Sequence, residues 1–187
     1  MNGFRRPSWW ALLLTVAGAL LFIRLGIWQL HRADFKEALL RRYAASASAP
    51  LQDFAKVAET PPADGFPRVQ VSGRYLADRL YLLDNPKHDG RGGVEVFAPL
   101  ALAGHPQLLL VDLGFLPGNG NGKTPQLPPL PTGEVSLHGL YVPPPPVGFA
   151  MGGNALARQT QWPKIGIFVD PAELARDLGR PLYPRLL

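Results

Sequence analysis

An N-terminal transmembrane helix with an amphipathic extension, followed by a mainly antiparallel β domain with a short C-terminal helix, is the fold class that this sequence predicts. Three observations carry the prediction. From Trp9 to Ile23 no residue is charged, and the apolar run resumes after Arg24 as Leu25-Gly26-Ile27-Trp28-Gln29-Leu30. Beyond residue 50 the hydrophobic pattern changes to short segments of period two separated by turn residues, as in strands with one face buried. The 20 glycines and 21 prolines among 187 residues argue against an all-helical globule, because both residue types break helices.

Taken as Trp9–Leu30, the first element has 22 residues; at ~1.5 Å per residue it is ~33 Å long and crosses the hydrocarbon of a bilayer. Trp9, Trp10 and Trp28 stand near its ends, where interfacial aromatics gather, and Arg24 is close enough to one end to snorkel. A cleaved signal peptide is the alternative, with Arg5-Arg6 as its charged start and Ala17-Gly18-Ala19 as its small-residue site. Apolar sequence runs on through Leu20-Leu21-Phe22-Ile23, where a cleaved precursor turns polar, and this favours a retained anchor. The organisation that follows is a tail at 1–8, a span at 9–30, a helical extension and linker at 31–50, and a β-rich domain at 51–187.

The extension reads His31-Arg32-Ala33-Asp34-Phe35-Lys36-Glu37-Ala38-Leu39-Leu40-Arg41-Arg42-Tyr43-Ala44-Ala45, without Gly or Pro. Its acids come early and its Arg41-Arg42 late, which suits the helix dipole. Ala44–Pro50 reads as a small-residue break, and Thr60–Gly65 as a loop. Strand patterns then cover Arg68–Leu76, Arg79–Leu83, Gly93–Leu102, Gln107–Leu113 and Glu134–Val142, with Asp84-Asn85-Pro86 closing the second. Pro117–Gly133 and Pro143–Pro146 are connectors. Asp170, Pro171, Glu173 and Gly179 occupy the N-cap, N1, N3 and stop positions of a short helix.

The charge distribution excludes a nucleic-acid partner. Residues 1–44 hold seven basic and two acidic groups, which is the whole net charge of +5, while 45–187 balance twelve against twelve. The β-rich domain therefore has no cationic excess for phosphates, and the excess at the helix points to a membrane surface. Counting positive charges alone puts the domain in the cytoplasm. With no cysteine, disulfides, thiol redox motifs, cysteine-type zinc sites and a cysteine nucleophile are excluded.

Gly118–Thr124 imitates a phosphate loop and fails it, because Pro117 stands where the first glycine belongs and Pro125 where a helix should start. The histidines His31, His88, His105 and His138 form no i, i+4 pair, and Asp84 with Asp89 reads as a turn. No G-x-S-x-G and no nucleophile with an identifiable base is visible, so the reading is not an enzyme. A membrane-anchored extracytoplasmic enzyme and a secreted binding domain stay open as alternatives.

The segment Leu25-Gly26-Ile27-Trp28-Gln29-Leu30-His31-Arg32-Ala33-Asp34-Phe35-Lys36 resembles the signature that ends the first membrane helix of the Surfeit-locus family of cytochrome c oxidase assembly proteins. Further segments follow in the family's order: Arg68-Val69, Val71, Gly73 and Tyr75; Leu83-Asp84-Asn85; Gly93 through Pro99-Leu100; Leu110-Val111-Asp112-Leu113-Gly114-Phe115-Leu116-Pro117; Val135, Leu137 and Gly139; and Gln161-Trp162-Pro163. The resemblance covers about residues 20–187. Asp112, Leu113 and Phe115 depart from the commoner Asn, Arg and Trp, and Val94 replaces a usual Tyr. The family's second membrane helix, which in some bacterial members carries a histidine implicated in haem a binding, has no counterpart before Leu187.

The resemblance implies a membrane-anchored assembly factor for cytochrome c oxidase that assists haem a insertion or early subunit assembly. It places the domain outside the cytoplasm, at a bacterial or mitochondrial inner membrane, against the charge count. Implied partners are membrane lipid and the oxidase catalytic subunit or the haem a synthesis machinery, with Gly26, Trp28, Gln29, Arg32 and Lys36 as the interface candidates. No cofactor is expected to be held stably by this chain; haem a is expected only through a partner or a further C-terminal helix.

Overall fold

The computed structural model describes residues 8–63, 65–118, 124–146 and 153–187. The tail expected at 1–8, apart from Ser8, and most of the glycine–lysine stretch Gly118–Thr124 lie outside them. The chain divides between Ala45 and Ser46 into two compact units.

The described part of the first unit is helix α1, Trp9–Ser48, 40 residues without interruption, whose last three residues belong to the second unit. At ~1.5 Å per residue it is ~60 Å long, about twice what a bilayer's hydrocarbon needs. Its N-terminal part is apolar enough to cross a membrane. The break expected at Ala44–Pro50 is confined to its end, because Ala44 to Ser48 continue the helix and only Ala49-Pro50 leave it. Alanine is the best helix former and serine carries only a small penalty, so nothing stops the helix before the residue that precedes proline.

The second unit contains β1 (Gln52–Asp53), α2 (Phe54–Val57), β2 (Arg68–Tyr75), β3 (Tyr81–His88), β4 (Arg91–Leu102), β5 (Leu108–Pro117) and β6 (Val135–Leu140). A 3-10 turn at Leu156–Arg158, β7 (Lys164–Gly166), α3 (Pro171–Leu178) and β8 (Leu182–Leu186) complete it. Every strand expected from the pattern is present. The sheet is mixed rather than simply antiparallel: β1 runs parallel to β2, β7 to β3, and β8 to β5. The antiparallel pairs β2–β6, β2–β4, β3–β4 and β4–β5 form its body. An antiparallel bridge between Val142 and Leu186 joins the end of the β6 segment to β8. The path β6-β2-β4-β5-β8 is thereby closed into a hydrogen-bonded ring.

Alternation fills the ring. Val69 and Val71 of β2, Leu100 and Leu102 of β4, Leu109 and Val111 of β5, Tyr141 and Tyr183 pack together, and α2 contributes Phe54 and Val57. Gly73 is where β2 crosses onto β4: a Cβ there would lie 2.5 Å from the Ala101 carbonyl oxygen. A second cluster, around Tyr81, Phe97, Leu110, Leu156 and Leu186, lies beneath Leu174 of α3. Helix α3 has the expected caps, with Asp170 Oδ1 accepting from the Ala172 N–H at 2.9 Å and Gly179 left-handed at φ 66°.

One local expectation is corrected. Asp84-Asn85-Pro86 does not end β3, which runs on to His88 through an irregularity in register between Asp84 and Lys87. A strand tolerates proline at such a site because its missing N–H has no ladder partner there. The reversal is instead Asp89-Gly90, with φ of 49° and 76°, between the paired residues His88 and Arg91. Two left-handed central residues match the twist of the flanking strands, and Asp-Gly supplies them. In β5 the register against β4 shifts at Leu113, and Gly114 takes φ 94° with its N–H donating to Asp112 Oδ1 at 2.8 Å.

The segment between α2 and β2 is tied down by side chains. Tyr141 Oη donates to the Ala58 carbonyl at 2.9 Å. The Arg185 guanidinium donates to the carbonyls of Pro62 at 2.8 Å, Gly65 at 2.9 Å and Tyr141 at 3.4 Å.

Candidate functional site

The residues singled out by sequence, Gly26, Trp28, Gln29, Arg32 and Lys36, all lie on α1, and all are exposed. No residue of α1 is buried, so its leucines, Phe22, Ile23 and Ile27 have no protein core to enter. The apolar residues surround the helix rather than forming one stripe, the pattern of a helix set in apolar surroundings on all sides. Thr15 fits that surrounding: its hydroxyl donates to the Ala11 carbonyl at 2.8 Å and needs no water.

The five candidates do not form one face. Trp28, Arg32 and Lys36 follow at i, i+4 and i+8, and the Arg32 guanidinium lies 5.5 Å from the Trp28 ring centre, within cation–π range. Gln29 adjoins the Lys36 side. Gly26 falls roughly 160° from Trp28 at ~100° per residue. A Cβ at Gly26 would meet nothing within 4 Å, so no contact among the described residues requires glycine there. Lower on the helix, Glu37 is taken up by Arg41 at 2.8 Å.

Sequence reasoning missed a polar cluster in the β domain. Lys164 Nζ meets Asp177 Oδ1 at 2.5 Å, and both side chains are only 9% exposed. Tyr81 Oη donates to the other carboxylate oxygen at 2.8 Å. Burial, then that hydrogen bond and the Asp177 charge, raise the Tyr81 hydroxyl's pKa far above its ordinary value. Trp162 covers the group: Lys164 Nζ lies 4.9 Å and the Arg79 guanidinium 5.1 Å from its ring centre, and Tyr81 packs edge-on at 5.2 Å. This arrangement fastens β7, β3 and α3 together, and the Asp177 carboxylate is engaged by both neighbours. No sequence signal marks Lys164 as buried; only Trp162-Pro163 before it stood out.

A second carboxylate cluster flanks the β5 irregularity. Burial first, then the charge and hydrogen bond of Asp112, raise the Glu95 carboxyl above the usual range, with His88 pulling the other way. The four histidines sit on different elements. His31 is exposed on α1, His88 stands at the β3 turn 3.9 Å from Asp89, and His138 is on β6 opposite Gln70. His105 Nδ1 lies 2.8 Å from Tyr183 Oη. His105 also lines an open groove of about 590 Å³ with Gln52, Asp53, Phe54, Gln70 and Leu102. The groove is open to solvent, and apolar side chains such as Leu51, Phe54 and Val71 line it beside the polar ones. Among the described residues no three His, Asp or Glu side chains gather as a metal site.

No curated protein matches the chain. A family model does: that of the SURF1 family matches residues 16–187, from inside the apolar part of α1 to the end of β8. The match thus takes in most of the helix that bears the signature segment and the whole mixed-sheet domain, and the chain belongs to the SURF1 family.

Proposed function

We propose that this chain is a membrane-anchored assembly factor for cytochrome c oxidase, with its β domain on the extracytoplasmic side of an inner membrane. The observation that carries the reading is the family match, which includes both the membrane-type helix and the domain, and the SURF1 family is known for cytochrome c oxidase assembly. The wholly exposed apolar surface of α1 supports the anchor. The role is assistance with haem a insertion or early subunit assembly rather than turnover chemistry. Haem a then reaches the oxidase through a partner, the catalytic subunit or the haem a synthesis machinery, and is not stored on this chain. Within the Gly26–Lys36 segment, the contact with a protein partner is the side that bears Gly26. That side admits the close approach of a second helix, as small residues do in bilayers.

Deletion of the gene, followed by reduced-minus-oxidised spectra of the membranes, tests this. The expected result is loss of most of the haem a signal with b-type haem retained, and recovery when the gene is restored. Unchanged haem a content with full oxidase activity would overturn the reading.

A further inference from the structure

Four residues of α1, Arg24, Trp28, Arg32 and Lys36, recur every fourth position. Successive members drift by only ~40° around the axis, so the four share one side of the helix. That side carries three cations and no acid. Asp34 and Glu37 project from across the helix, roughly 140–160° from its centre, and Glu37 is neutralised by Arg41 at 2.8 Å. Arg24, Arg32 and Lys36 thus have no carboxylate partner among the described residues, and all three are exposed.

Their level along the helix matters as much as their side. Arg24 follows the charge-free run Trp9–Ile23 and stands inside the span 9–30, within snorkelling reach of the headgroups at its outer end. Arg32 and Lys36 lie farther out, and helical side chains tilt toward the N-terminus, back toward the bilayer. An Arg24 that snorkels outward and an Arg32 that leans inward converge near Trp28. There the ring lies under the Arg32 guanidinium at 5.5 Å and leaves the edge of the fork for an oxyanion. A planar fork plus a second cation matches a phosphodiester.

We propose that Arg24, Arg32 and Lys36, arrayed with Trp28 on one side of α1, bind the phosphate of an anionic phospholipid headgroup. The proposal rests on the membrane-anchored reading above and goes beyond it, since an anchor alone requires no preference among lipids. Charge complementarity selects the occupant: a zwitterionic lipid brings its own cation to the site and gains less.

The test uses the full chain in phosphatidylcholine vesicles containing a trace of spin-labelled lipid. Electron spin resonance then gives the fraction of label held at the protein for phosphatidylglycerol and for phosphatidylcholine. Phosphatidylglycerol is expected to be preferred by roughly threefold or more at low salt, given a gain of up to about fivefold per cation near a surface. The preference should shrink in 1 M salt. It should fall toward unity in R24Q/R32Q and be lowered in R32Q/K36Q, whose changes lie outside the hydrocarbon and leave insertion intact. R41Q, across the helix, should retain it. Equal retention of the two labels, or a preference indifferent to both double variants, would overturn the proposal while leaving the assembly role standing. Lower oxidase content in R32Q/K36Q with lipid preference unchanged would assign this side to a protein and overturn it too. Release of the chain by alkaline carbonate would remove the anchor and the lipid site together.

Discussion

The Lys164 ammonium and the Asp177 carboxylate are in direct contact at 2.5 Å, with nine-tenths of each side chain out of water. Removing one member of such a pair strands the other without solvent, at a cost of about 3–5 kcal/mol. Lys164→Met should therefore lower the stability of the detergent-solubilised chain by about 3 kcal/mol or more, read from the urea midpoint in near-ultraviolet circular dichroism. Adding Asp177→Asn, which keeps an acceptor for Tyr81, should recover more than half of the loss. A double variant no better than the single one would show that the pair is not the unit.

Gly114 and Gly73 are both intolerant of a side chain, for different reasons. At Gly114 the space is open but φ is 94°, so Gly114→Ala should cost about 1–3 kcal/mol in backbone strain alone. At Gly73 the added Cβ would strike the Ala101 carbonyl, so Gly73→Ala must push β2 off β4. Amide exchange separates the two: protection should drop across Gly73–Tyr75 only in the second variant.

Alkaline pH should loosen the domain. Burial pushes the Tyr141 hydroxyl from 10.0 up to about 12. Below pH 10 both the folded and the unfolded forms keep the proton. Between pH 10 and about 12 only the unfolded chain releases it, so stability falls as pH rises, by up to about 1.4 kcal/mol per unit per tyrosine. Tyr75, Tyr81 and Tyr183 are shifted the same way. Tyr141→Phe should flatten part of this slope. It should also lower stability at neutral pH by about 1–2 kcal/mol through the orphaned Ala58 carbonyl. A midpoint constant from pH 9 to 12 would contradict the assignment.

Gly26→Leu tests the contact proposed for the glycine side of α1. The helix itself has room for the side chain, so the amount of protein in the membrane should be unchanged. Oxidase content should drop severalfold, since leucine holds a neighbouring helix away. Equal loss of both would mean only a damaged anchor.

Much of this was legible from residue pattern. The charge-free run marks α1, the alternation of Val69 with Val71 and of Val94 with Val96 marks two strands, and Asp170-Pro171 announces the last helix. The parallel strands were not legible, because Gln52-Asp53 and Lys164-Ile165-Gly166 are too short to show a period and Leu182–Leu186 contains Pro184. Their direction depends on long connections that carry no local code. Asp89-Gly90 was readable as a hairpin turn, but Pro86 drew the strand boundary forward. The burial of Lys164 was hidden for a physical reason: its partner, thirteen residues later, is decided by how α3 packs and not by any neighbour in sequence.

Arg185 has a consequence for how the domain opens. One guanidinium holds three carbonyls, two in the stretch before β2 and one just after β6, while its own strand β8 closes the ring through Leu186. Fraying of that strand and release of the 58–66 stretch are therefore a single event, and a protease acting on either should report the same opening equilibrium. A lysine in place of Arg185 keeps the charge but lacks the fork that reaches all three oxygens. Arg185→Lys should turn a shared opening into two independent ones, with the 58–66 stretch cut first.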